Sequence, residues 1–190
     1  MTSVVNVAVE AALAAGKIQA EHADKIQSIS EKNGLRGDVV TEVDLLCEKE
    51  IIGRIQKVFP GDAILAEESG EILGDLNKKW IIDPLDGSLN YSHGYPCYCV
   101  SIGVEHDGEL VVGVIYNPNL DELFVAEKGQ GATLNGKKFN VSTTETLDKS
   151  LLVTGFTPQI VGRNDDNLKH FGNFMKSCQA VRRPGSAAMD

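Results

Sequence analysis

Apolar residues recur at helical spacing over residues 4–27, with Val9, Leu13 and Ala20 on one face, and the pattern predicts a first amphipathic helix. Residues 28–38 break the rhythm with glycines and charges and predict a mobile loop, in which Lys32 and Arg36 read by default as solvated, a lid over a phosphate being the alternative. Helical spacing resumes through Leu45, Ile52, Ile55 and Phe59 and stops at Pro60-Gly61. Thr41 stands where an N-cap belongs, with Asp44 three residues on, in the first turn. A carboxylate there complements the helix dipole, and it can also serve a site at that helix end.

Two short apolar runs then end in acids. Residues 63–66 run into Glu67, Glu68 and Ser69, and residues 80–82 run into Asp83-Pro84-Leu85-Asp86-Gly87-Ser88. Period-two segments over residues 98–105, 110–116 and 121–127, separated by Asp107-Gly108 and Asn117-Pro118-Asn119, predict a meander. Asn135-Gly136 predicts one more hairpin, between residues 133–134 and 139–141. The prediction is an α+β fold, an antiparallel sheet covered by the two N-terminal helices. Residues 143–149 are polar and read as a linker, after which residues 151–154 predict a strand, 164–177 a helix and 180–182 a strand. A Gly185-Ser186 step then opens a helix that residue 190 leaves incomplete. The expected division is residues 1–146 as an α+β domain and 147–190 as the start of a second α/β domain.

Composition narrows the partners. Lys and Arg number 18 against 27 Asp and Glu, so the net charge is 18 − 27 = −9. That disfavours nucleic acid and anionic membrane as partners, and an acidic chain that handles phosphate needs metal ions to offset its own field. The four cysteines, Cys47, Cys97, Cys99 and Cys178, lack zinc-site spacing and read as reduced thiols of a cytoplasmic protein. The Ala- and Val-rich start lacks a basic n-region, so a helix rather than a signal peptide is expected.

The densest chemistry is the run from Trp80 to Tyr91. Pro84 removes a donor and is expected to turn the chain at the end of a buried strand, so that Asp83 and Asp86 converge. Converging carboxylates repel unless a cation or proton lies between them, and hard oxygens suit Mg²⁺, Mn²⁺ or Ca²⁺. Neighbouring strands that both end in acids would set Glu67 beside Asp83, where a cation could bridge them. Gly87 permits close approach, and the amides of Gly87, Ser88 and Leu89 at a helix start favour an anion such as phosphate. The competing reading is a plain Asp-capped turn. Cys97 and Cys99 alternate along an incipient strand as core thiols, and His93 near the motif reads as a loop histidine.

Taken together, residues 38–44, 66–69, 80–91, 100–103 and 185–188 resemble the inositol monophosphatase family, within the lithium-sensitive, metal-dependent sugar phosphatases, over essentially the whole chain. The resemblance implies a layered α/β/α sandwich and a homodimeric Mg²⁺-dependent phosphomonoester hydrolase acting on a small phosphorylated polyol or sugar. It implies that Glu67, Asp83, the Leu85 carbonyl and Asp86 ligate two or three Mg²⁺ ions, Mn²⁺ being possible. Asp44, Glu67 and Ser88 are the implied catalytic residues, with serine where threonine is usual. Gly87 and Ser88 would hold phosphate, and Gly185, Ser186 and Ala187 would face the substrate's hydroxyls. The family pattern continues past residue 190 with a Trp-Asp motif that completes the second metal site, so a truncated chain with weakened metal binding is expected. Alternatives are a related fructose-1,6-bisphosphatase or histidinol-phosphatase, or a partner-binding scaffold without catalysis.

Overall fold

Ser3 opens the first helix by accepting a hydrogen bond from the Asn6 amide, and α1 (Val4–His22) follows. The structure, a computed structural model, describes residues 3–32, 34, 37–156 and 167–190. α1 is shorter than the periodicity predicts, and its buried face is Val7, Ala8, Ala11, Ala12, Ala15, Gly16 and Gln19. Of the predicted face, Val9 is half-buried against the core, whereas Ala20 is exposed and Leu13 39% exposed. Small side chains win because they let the helix backbone lie close against its neighbours, which bulk at the contact would prevent.

The described residues at the two ends of the predicted loop are strands rather than mobile chain. β1 (Ile29–Glu31) and β2 (Val39–Thr41) pair antiparallel, and Glu42 anchors the approach by accepting from the Gln27 and Ser28 amides. Arg36 lies outside the described residues. α2 (Glu42–Val58) begins with the predicted capping box, Thr41 and Asp44 exchanging side-chain and backbone hydrogen bonds, and buries Val43, Asp44, Cys47, Glu48, Ile51 and Ile55.

The main sheet comprises β3 (Asp62–Ala66), β4 (Gly70–Ile72), β5 (Asp75–Asp86), β6 (Cys99–His106), β7 (Glu109–Asn117), β8 (Glu122–Glu127), β9 (Gly131–Leu134) and β10 (Lys137–Lys138). Among the described residues its order is β10-β9-β8-β7-β6-β5-β3-β4. The predicted meander and hairpin are present, but the sheet is mixed rather than antiparallel, because β3 and β5 run parallel. β4 returns along the outer side of β3, so the chain re-enters the sheet on the inner side of β3, in its direction. β4 and the start of β5 escape periodicity because Asp75, Asn77, Lys78 and Lys79 carry no apolar alternation.

α1 and α2 cover one face, packing on Trp80, Ile82, Val100, Ile102, Val104, Val112 and Val114. Trp80 donates to Asp62 Oδ2 at 2.8 Å and lies 5.9 Å from the Phe59 ring. Downstream, β11 (Leu151–Val153) and β12 (Ala180–Arg182) pair parallel, with α4 (Leu168–Ser177) between them in sequence. Residues 164–166 of the predicted helix lie outside the described residues. Among the described residues no helix is long and apolar enough to cross a membrane.

A methyl on Gly16 would meet the Tyr116 ring at 2.4 Å. Alanine gains about 0.5–1 kcal/mol of helix propensity, but overpacking costs about 1–3 kcal/mol. Gly16→Ala is therefore expected to be destabilising, read as a lower urea midpoint at unchanged slope. A raised midpoint would show that the ring yields.

Candidate active site

Parallel pairing of β3 with β5 sets Ala66 opposite Ile82, and the Glu67 amide extends the pairing by donating to the Ile82 carbonyl at 3.1 Å. Glu67 and Asp83 therefore leave the sheet side by side. Contrary to the expectation from the sequence, Pro84 does not end β5. The ladder to β6 holds at Asp83 opposite Ser101, slips across Pro84 and Leu85, and resumes at Asp86 opposite Cys99. This irregularity takes up the missing donor and brings Asp83 and Asp86 to one cavity. Gly87 then adopts φ 103°, a left-handed conformation, and a Cβ there would stand 2.8 Å from the Cys97 carbonyl. α3 (Ser88–Ser92) follows.

The cavity, about 780 Å³, brings together Glu67, Asp83, Leu85, Asp86, Gly87, Ser88, Gly185, Ser186 and Ala187. Asp44 stands behind it, fully buried, and accepts from Ser88 Oγ at 2.5 Å through Oδ1. Its Oδ2 accepts from the Thr41 amide at 2.8 Å and from Thr41 Oγ1 at 2.6 Å. Burial pushes the Asp44 carboxyl above its ordinary value, and the bonds from Ser88 and Thr41 oppose that push. The Ser88 hydroxyl also lies 2.9 Å from the Leu85 carbonyl. Having a single proton, it donates to one of the two acceptors at a time.

Charge crowding dominates the mouth of the site. Burial raises the Asp83 carboxyl far above its usual range, and the charges of Glu67 and Asp86 add to the rise. Lys32, read from sequence as a solvated charge, sits in the site: its ammonium is 2.7 Å from Glu67 Oε1 and 2.5 Å from Glu68 Oε1. Burial alone would lower the Lys32 pKa, but the two glutamates outweigh it and raise it. Asp86 is held by the far segment of the chain. Its Oδ2 accepts from Ser186 Oγ at 2.8 Å and the Ala188 amide at 2.6 Å, and its Oδ1 from the Ala187 amide at 3.1 Å.

A hard cation fits this donor set electrostatically, since several carboxylates face one cavity and one of them is forced toward its neutral form. The arrangement does not present three free ligands at once. Among the described residues no group of three or more acidic, histidine or cysteine side chains is poised for metal, with Glu67 engaged by Lys32 and Asp86 by residues 186–188.

Sequence reading missed the supports. Glu48 accepts from the Glu68 amide at 2.8 Å and the Ser69 amide at 3.0 Å. Asn90 donates from Nδ2 to the Cys97 and Pro184 carbonyls, both at 2.8 Å. Gln19, buried in α1, donates to the Pro84 carbonyl at 2.9 Å. Only Glu48 had a usable signal, lying four residues after Asp44 and so on the same helix face. His93 is exposed and does not line the cavity, and all four cysteines are free thiols.

A mixed sheet under two helices, with an acidic corner at the end of its parallel pair, defines an α+β sandwich. The sequence pattern of the inositol monophosphatase family matches residues 1–190, and the chain belongs to that family. It is similar to a Synechocystis protein named inositol-1-monophosphatase, 48% identical over 188 residues, covering 98% of this chain and 65% of that protein. It is also similar to the Nus factor SuhB of Escherichia coli K12, 39% identical over 191 residues, covering 100% of this chain and 72% of that protein. The inositol monophosphatase structure from Anabaena (Nostoc) superposes with a TM-score of 0.86 at 43% identity, over 98% of this chain and 68% of that one. The chain thus spans about two thirds of the length of these relatives.

The Asp83 carboxyl, raised from 3.8, favours the folded state most at low pH, and that contribution is lost as pH climbs from 3.8 through the raised value. Without divalent cation, stability should therefore fall across this window, and Asp83→Asn should flatten the slope and add about 1 kcal/mol or more at neutral pH. Urea midpoints at pH 5 and pH 8 in chelator test this. Parallel profiles for wild type and variant would refute it.

Proposed function

We propose that this chain carries the reaction corner of a Mg²⁺-dependent phosphomonoester hydrolase that converts inositol phosphate and water to inositol and phosphate. The observation that carries the reading is the buried Asp44 carboxylate, bonded at 2.5 Å to a Ser88 hydroxyl that lines the same cavity as Glu67, Asp83 and Asp86. Glu67, Asp83, the Leu85 carbonyl and Asp86 are the groups that would hold Mg²⁺, two or three ions, or Mn²⁺. Bound there, the cation supplies positive charge to the phosphate oxygens and the leaving alkoxide, and makes water more acidic. Ser88 Oγ, its proton directed at Asp44 Oδ1, offers a lone pair to an attacking water. As the water's proton passes to Ser88 Oγ, the serine's own passes to Asp44 Oδ1, so the proton released ends on a buried carboxylate already biased toward protonation and neutralises it.

The amides of Gly87 and Ser88 would hold phosphate, and residues 185–187 would meet the polyol. In this reading residues 1–146 supply the acids and 147–190 the substrate-facing segment. The free thiols support a reducing, cytoplasmic setting, and lithium sensitivity and a homodimer complete the proposal.

A second reading, a partner-binding scaffold, is favoured by the relatives named Nus factor SuhB. The net charge of −9 argues against direct contact with nucleic acid in either case. A scaffold has no use for the Asp44 to Ser88 pair, which favours hydrolysis.

The test is phosphate release from inositol 1-phosphate with Mg²⁺. Wild type is expected to turn over, and Ser88→Ala to lose about a hundredfold or more. Mg²⁺ should also raise the melting temperature of wild type and not of Asp83→Asn. A Mg²⁺ shift without hydrolysis of inositol, fructose or histidinol phosphates would favour the scaffold. No shift at all would count against the metal site.

A further inference from the structure

Glu48 is 4% exposed, and among the described residues no lysine, arginine or histidine lies within ion-pair distance of it. A carboxylate so placed is costly to bury unless its oxygens are satisfied. Both are: Oε2 takes the Glu68 amide at 2.8 Å and Oε1 the Ser69 amide at 3.0 Å, two successive donors of the turn after β3. With the Glu67 amide on the Ile82 carbonyl, every backbone N–H from 67 to 69 has a fixed acceptor. The turn cannot rotate Glu67 away from Asp83 without breaking these bonds. Glu48 does not line the cavity, so it cannot touch substrate.

We propose that Glu48 is a positioning residue that holds the 67–69 turn so that the Glu67 carboxylate faces Asp83. Asp44 and Glu48 lie one turn apart on α2, the first fixing Ser88 and the second fixing Glu67. The helix thus acts as a rigid bar that sets the spacing between the proton acceptor and the cation-binding edge. This inference rests on the hydrolase reading, in which Glu67 serves a divalent cation.

The experiment compares Glu48→Gln, which keeps size but replaces one acceptor with a donor facing an amide N–H, with Glu50→Gln, a half-exposed control on the same helix paired with Arg54. Amide hydrogen exchange of residues 67–69 is measured without metal, and Mg²⁺ half-saturation is measured by titration calorimetry. Glu48→Gln should quicken exchange at 68 and 69 with α2 unaltered, and weaken Mg²⁺ about tenfold, by more than the metal-free stability falls. Glu48→Asp, which keeps the charge but reaches one amide, should fall between the two, and it serves if Glu48→Gln does not fold. Superimposable Mg²⁺ titrations, or a loss of affinity matched by an equal loss of metal-free stability, would overturn the proposal. If wild type itself gives no Mg²⁺ response, the hydrolase reading falls. Exchange at 68 and 69 then decides on Glu48 alone, unchanged rates overturning its role and faster rates upholding it.

Discussion

The parallel pairing of β3 with β5 places Glu67 and Asp83 side by side at a sheet end, and the slipped ladder after Asp83 adds Asp86 to the same cavity. Like charges at this separation are unfavourable, so much of the surrounding structure answers them. Lys32 reaches in from the β1–β2 hairpin toward Glu67, the amides of residues 187 and 188 point at Asp86, and Asp83 is pushed toward its neutral form. Positive charge is drawn from whatever the chain can bring near. A site that spends stability to crowd its acids is the kind of departure expected where function outweighs folding.

Rigid elements hold that crowding in place. α2 is anchored by its capping box and by Val43, Cys47, Ile51 and Ile55 in the core, so the acids on its site-facing side have fixed origins. Asp44 serves twice, completing the cap through Thr41 and receiving the Ser88 hydroxyl, and this couples the start of the helix to the cavity wall. From below, Gln19 of α1 ties the Pro84 carbonyl, and its own carbonyl accepts from the Tyr91 hydroxyl at 2.7 Å. The irregular stretch between β5 and α3 is thereby fastened to regular structure on both sides.

The segment around Gly185 is tied to the corner by contacts distant in sequence. Asn90 holds the Pro184 carbonyl, and a Cβ on Gly185 would stand 3.2 Å from the Asn90 side chain, so a glycine lets the two strands of chain close. Asp86 caps the turn that follows through Ser186, Ala187 and Ala188. The wall of the cavity that would meet a substrate is therefore built on the same aspartate that contributes to its acidic floor.

Local chemistry was legible in the residues alone. The capping box at Thr41, the acidic ends of two apolar runs and the meander turns all follow from short-range rules of capping, alternation and turn preference. Those rules act over a few residues, and the structure obeys them except at Pro84, where the strand continues across a slipped ladder. What only tertiary structure decided acts across the chain. Parallel pairing of β3 with β5 depends on a polar return strand without periodicity. The alanine face of α1 was chosen by close packing rather than bulk. Lys32 moved from solvent to the site because two glutamates offered more than water does. Glu48, Gln19 and Asn90 became supports because their partners, backbone groups of distant turns, have no side-chain signature to be read in advance.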